Sequence, residues 1–157
     1  MRTVAVSRPA QAPAVAVIDA LWSGAEWQAA WSGIAGFDIE YDDGEHQAAR
    51  LRINWNGEQR MLSLVRFRES ASSIAFFCLQ APAPLSHQNG WWSAAPADSG
   101  NTVVTAIREF DIAALPGEAE TARQQRLDDY ETQLCDRLGR ILESFVARLG
   151  DGAEKVS

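Results

Sequence analysis

The sequence predicts an α+β fold: a curved, seven-stranded antiparallel sheet around a long C-terminal helix, with two short helices after the first strand. Three observations carry this reading. Apolar and polar residues alternate through much of the stretch from residue 36 to 112, the period of half-buried strands. Leu127, Tyr130, Leu134, Leu138, Ile141, Phe145 and Leu149 then recur at three- and four-residue steps, the stripe of one amphipathic helix. Such a helix must bury its stripe on something. The only large surface available is a sheet, which a strong twist can curl around it.

In chain order, residues 3–7 are alternating and β-branched, hence a strand. Pro9 and Pro13 mark a turn into a helix over 12–22, with Val15, Ile18, Ala20 and Leu21 inward, and Ser23-Gly24 stops it. A second helix spans 25–31, where Trp27 and Trp31 stand four apart and share a face. From Gly36 the period is two: Phe37, Ile39 and Tyr41 alternate with acids up to Asp42-Asp43-Gly44. Strands follow at 47–55 and 58–68, joined by Asn56-Gly57, a strong two-residue hairpin signal. After a loop at 70–73 come strands at 74–79, 88–94 and 102–112, separated by the Ala81-Pro82-Ala83-Pro84 break and the Asp98-Ser99-Gly100-Asn101 turn. Beyond Pro116-Gly117 the long helix runs to Gly150, leaving 151–157 as a frayed tail; residues 1–157 form one domain.

Hairpin geometry assigns the faces. A two-residue turn at Asn56-Gly57 sets Ile53 opposite Arg60, Leu51 opposite Leu62, Ala49 opposite Leu64 and Gln47 opposite Arg66. That face is mainly apolar and points inward, so Arg66 is an inward charge. A three-residue loop at Asp42-Asp43-Gly44 pairs Ile39 with Gln47 and keeps Phe37 and Ile39 on the same face. A four-residue loop at 70–73 pairs Arg66 with Phe77 and Leu64 with Leu79, which places Phe77 and Leu79 on the wall beside Arg66.

Composition excludes several function classes. The 157 residues carry a net charge of -7, which disfavours phosphate-backbone binding, so no nucleic-acid partner is expected. The apolar run 14–22 contains Asp19 and is too short to span a bilayer; with no signal peptide in the sequence, the expected location is cytoplasmic. Cys78 and Cys135 read as reduced core residues rather than a disulfide. His46 and His87 lack ligand spacing, so neither metal nor cofactor is expected, and no phosphate loop or nucleophile elbow occurs.

The order of elements, with Val4-Ala5-Val6-Ser7, Ala25-Glu26-Trp27 followed by Trp31, Asn56-Gly57, Arg66, Ala83-Pro84-Leu85, Gly90-Trp91-Trp92 and Glu109-Phe110, resembles the helix-grip (START/Bet v 1-like) superfamily. Within it the chain resembles the aromatase/cyclases of aromatic polyketide synthesis. The resemblance implies a poly-β-keto substrate, delivery by an acyl carrier protein, aldol cyclisation with dehydration, and an arginine on the fourth strand pointing into the cavity. Arg66 falls at that position, and Trp92 would line the pocket. The inward positions before the arginine, often polar or aromatic in those proteins, are Leu62 and Leu64 here.

The candidate site therefore has Arg66 as its catalytic group. A guanidinium stays protonated, so it can polarise a ketone or stabilise an enolate but cannot be a general base. The alternative is an arginine whose stem packs on the wall while its head reaches solvent or a salt bridge. The expected binding wall is Leu51, Ile53, Leu62, Leu64 and Phe77, completed by Trp31, Trp92, Tyr130 and Leu134. Tyr130 either presents its hydroxyl to the cavity or packs where the helix meets the sheet. Trp27 reads as core, and Arg123, Arg126, Asp128, Asp129, Arg137 and Arg140 as a solvated outer stripe. Function then divides among cyclisation, transport of a hydrophobic molecule without chemistry, and partner docking, by a monomer or a homodimer.

Overall fold

A computed structural model describes residues 1–55 and 57–156, with all their side chains except those of Trp55, Ser99 and residues 151–156. The elements are β1 (Arg2–Ala10), α1 (Ala14–Trp22), α2 (Gly24–Ala30), β2 (Ile34–Asp42), β3 (His46–Trp55), β4 (Glu58–Ser70), β5 (Ser73–Gln80), β6 (Leu85–Pro96), β7 (Thr102–Ile112) and α3 (Glu120–Val156). The strands form one antiparallel sheet in the order β1-β7-β6-β5-β4-β3-β2, and α3 packs against β1 and β7. This is the helix-grip α+β fold that the sequence predicts. No helix among the described residues is long and apolar enough to cross a membrane.

Two boundaries and one helix face differ from the prediction. β1 runs through Pro9 because it is an edge strand, where a missing N–H costs no ladder bond. In α1 the buried residues are Val17, Ile18, Ala20, Leu21 and Trp22, whereas Val15 is exposed. Helix α3 continues past Gly150, the expected stop, to Val156.

The core lies between the concave face of the sheet and α3. Ile18, Leu21, Ile74, Val104, Phe110, Leu134, Leu138 and Leu142 are all fully buried there. Trp27 joins the layers, meeting Trp92 of β6 and Phe145 of α3 edge-to-face at centroid distances of 5.1 and 4.9 Å.

The β3–β4 register is as predicted, from Trp55 opposite Glu58 to Gln47 opposite Arg66. Of the turn itself, Gly57 has φ +82°, the left-handed conformation glycine tolerates, while Asn56 lies outside the described residues. The β4–β5 register corrects the prediction. Ser70 pairs with Ser73 across a two-residue turn, and an irregularity between Arg68 and Ser70 sets Arg66 opposite Phe76 and Leu64 opposite Cys78. That one-residue shift exchanges the faces. Phe76 is buried inside; Phe77 is 41% exposed and stacks on Phe67 outside, and Leu79 is exposed too.

The β2–β3 turn also differs. Asp42 pairs with Gln47 and Ile39 with Ala49, with a bulge between Ile39 and Tyr41. Phe37 and Ile39 keep the predicted face because the bulge absorbs the change in loop length. Past the bulge, Tyr41 turns outward and Asp42 turns inward beside Gln47.

Candidate functional site

The concave face and α3 border a partly open cavity of about 110 Å³. A single water needs only about 10–15 Å³. Its walls come from α2 and its C-cap (Trp27, Trp31), from β2–β4 (Phe37, Leu51, Ile53, Leu62, Leu64), from β5 and β6 (Phe76, Trp92) and from α3 (Tyr130, Leu134, Leu138, Ile141). Of the predicted wall, Trp31, Leu51, Ile53, Leu62, Leu64, Trp92, Tyr130 and Leu134 all line the cavity, as does Arg66. Phe77 does not, and Phe76 takes its place. Tyr130 packs on Phe110 at 5.1 Å and borders the cavity.

Arg66 is 4% exposed, and its bonds tie it to the protein. Nη1 donates to the Leu21 carbonyl at 2.6 Å and Nη2 to the Trp22 carbonyl at 2.6 Å. Nε and Nη2 both donate to Gln47 Oε1, at 2.8 and 2.6 Å. Leu21 and Trp22 end α1, where the last carbonyls lack intrahelical partners and a cation is favoured by the helix dipole. The same carbonyls accept further bonds, Leu21 from Trp27 Nε1 and Trp22 from Gln47 Nε2. Gln47 Nε2 also donates to the inward Asp42 carboxylate, which takes Trp22 Nε1 as well. Burial pulls Arg66 down to about 9, and Asp42 pulls the other way, so the guanidinium remains charged at neutral pH. These four bonds among the described residues leave one of its five N–H groups for a ligand.

The sequence reading missed Arg108. It is 5% exposed and lines the cavity from β7. Its guanidinium carbon lies 4.4 Å from the Phe76 ring centroid and 4.3 Å from that of Trp92. It reaches Phe76 by crossing Gly90, its cross-strand partner on β6, where an added Cβ would stand 3.0 Å from the Arg108 chain and 2.2 Å from the Ile107 carbonyl. Strict alternation along 102–112 puts Arg108 on the face of Val104, Ala106, Phe110 and Ile112. That alternation was the available signal.

Arg137, expected on the solvated stripe, also lines the cavity and donates to the Tyr130 hydroxyl at 3.4 Å. Arg60 stands at the rim, bonded to the Ala83 carbonyl and to Glu58 at 3.4 Å. The cavity is thus lined by aromatic and aliphatic side chains with four arginines, and by no carboxylate and no histidine among the described residues. Such a surface can hold an apolar body while donating hydrogen bonds to its oxygens.

No family model and no curated protein matches the chain. Solved structures do. The Zhui aromatase/cyclase from Streptomyces sp. R1128 aligns with a TM-score of 0.73 and 21% identity, over 91% of this chain and 93% of that one. The di-domain aromatase/cyclase StfQ of the steffimycin biosynthetic pathway aligns at 0.78 and 20%, over 97% of this chain and 52% of its own. A START superfamily protein from Mycobacterium smegmatis aligns at 0.69 and 17%, over 94% and 98%. At these identities the likeness shows a helix-grip, START/Bet v 1-like fold.

Proposed function

We propose that the chain binds a hydrophobic, keto-bearing small molecule in this cavity and folds it for aldol ring closure and dehydration, as an aromatase/cyclase-like protein. The observation that carries the reading is the pairing of a concave, ring-lined wall with guanidinium groups lining the same space. The wall holds a flexible chain in a compact shape, which removes much of the entropic barrier to an intramolecular reaction. When an α-carbon gives its proton to water or to another carbonyl oxygen of the chain, the enolate oxygen is met by fixed positive charge. The new C–C bond forms at a second carbonyl, whose oxygen takes up a proton to become a hydroxyl and later leaves as water with a hydrogen from the adjacent carbon, forming the C=C bond. Resemblance to aromatase/cyclase structures supports the substrate class.

A second reading, binding without chemistry, is favoured by a specific observation: among the described residues the wall holds no carboxylate and no histidine to act as general base at neutral pH. One experiment separates the two. The protein is incubated with a short poly-β-keto thioester surrogate and the mixture is resolved by mass spectrometry. Protein-dependent loss of water to a single cyclic product supports ring closure. A complex that returns the surrogate unchanged supports binding alone. If neither product nor complex forms, the cavity reading fails.

A further inference from the structure

We infer that the ligand is an anion, a hydrophobic carboxylic acid whose carboxylate sits against Arg108 at the β7 side of the cavity. The inference rests on the small-molecule reading above and adds the charge of the ligand. Arg108 is a built site rather than a surface arginine: it is 5% exposed, and its fork is held between the Phe76 and Trp92 rings. Its hydrogen bonds go to two backbone carbonyls, Ile107 at 2.9 Å and Trp91 at 3.5 Å, both through Nη1. No carboxylate among the described residues pairs with it. Among the described residues, the titratable groups that act on it electrostatically are the Cys78 thiol, a second cation at Arg137, and the Tyr130 hydroxyl.

A buried guanidinium is costly unless a counter-charge compensates it, and a second one nearby adds repulsion. Burial accordingly pulls Arg108 down to about 9, and Arg137 pulls in the same direction. Arg66 answers this problem with Gln47, two helix-end carbonyls and the nearby Asp42. Arg108 has no comparable set, so a bound anion is what would complete it. A carboxylate suits the place: its two oxygens match the edge of a guanidinium fork, and Phe76, Trp92, Leu134 and Leu138 offer apolar wall to the rest of the molecule. The same contact would hold an enolate during ring closure, so a product-like aromatic acid and the reacting chain share one oxygen subsite.

The test uses 2-naphthoate and its neutral isostere 2-naphthamide, titrated by calorimetry or tryptophan fluorescence at neutral pH. The carboxylate should bind at least about tenfold tighter than the amide, and Arg108→Gln should bring the ratio close to one. A second measurement on the unaltered protein does not depend on the variant folding. The ¹³C-carboxylate shift of bound naphthoate, followed against pH, should titrate below the free acid, because a cation holds the charged form. An apolar pocket without an anchoring cation would move it above. Equal affinities with a raised carboxylate titration overturn the anion inference and leave the cavity reading standing. Absence of saturable binding by either probe overturns both.

Discussion

Replacing Arg66 with methionine, which keeps the apolar stem and removes the fork, should cost stability before it costs chemistry. The variant loses four hydrogen bonds from a charged donor. Bonds of that type contribute about 1.5–3 kcal/mol each, but the acceptors decide the sum. The Leu21 carbonyl retains Trp27 Nε1 and the Trp22 carbonyl retains Gln47 Nε2, so only Gln47 Oε1 is stripped of both its donors. The expected loss is therefore about 3–4 kcal/mol rather than the full sum. Within a total stability of about 5–15 kcal/mol, that lowers a urea midpoint by about 2 M. Urea unfolding followed by tryptophan fluorescence measures it, with Arg66→Met/Gln47→Leu as the coupled control. Removing the orphaned glutamine should cost much less in the Arg66→Met background than in the unaltered protein. A loss below about 1 kcal/mol, with ligand binding abolished, would refute the fastening role and return Arg66 to the ligand.

Further expectations concern other parts of the molecule. Gly90→Ala places a methyl 2.2 Å from the Ile107 carbonyl and should destabilise by about 2 kcal/mol or more, a shift that thermal unfolding reads; an unchanged midpoint would contradict the close packing of β6 on β7. Leu62→Trp should fill the wall and abolish saturable probe binding while the far-ultraviolet circular dichroism stays the same. Burial pushes the Cys78 thiol up to about 11, so in a Cys135→Ser background its reaction with a disulfide reagent should be slow at pH 8 and quicken about tenfold per pH unit; a rapid phase at pH 7 would contradict it. The Arg126 hydrogen bond holds Glu118 down to about 2, and the backbone N–H groups of His46 and Glu45 hold Asp43 equally low. Both pKa values are depressed on folding, so their stabilisation is complete above the ordinary carboxylate range near 4 and disappears as pH falls from about 4 towards 2. Glu118→Gln should flatten the stability–pH curve in that window, so that it lies below the unaltered protein at pH 7 and converges with it near pH 2.

What the sequence disclosed follows from the range of the interactions involved. The β3–β4 hairpin was legible to the residue because Asn56-Gly57 fixes its own register, and eight of the nine expected wall residues fell into place with it. The two neighbouring turns were not. Their registers depend on bulges, after Arg68 and around Glu40, and a bulge answers to the twist of the assembled sheet rather than to turn residues alone. The first error exchanged Phe76 for Phe77. The second concealed Asp42, whose inward turn completes the setting of Arg66. Arg66 was found as an inward charge, yet its partners at the end of α1 are 44 and 45 residues away in sequence and no local pattern announces them. Arg108 lies in a plainly alternating strand, but no motif marks it as more than one inward position among six.

Gly90 and Arg108 depend on each other across the β6–β7 ladder. The arginine can lie over its neighbour only because that neighbour has no side chain, and any Cβ there would push the guanidinium off the Phe76 ring. The two positions should therefore vary together among homologous chains. A Gly-Trp-Trp segment on the sixth strand, with arginine at the position opposite its glycine, becomes a sequence signature for a cavity of this charge. It is readable where overall identity is too low to align, and it would separate cationic cavities from neutral ones of the same fold.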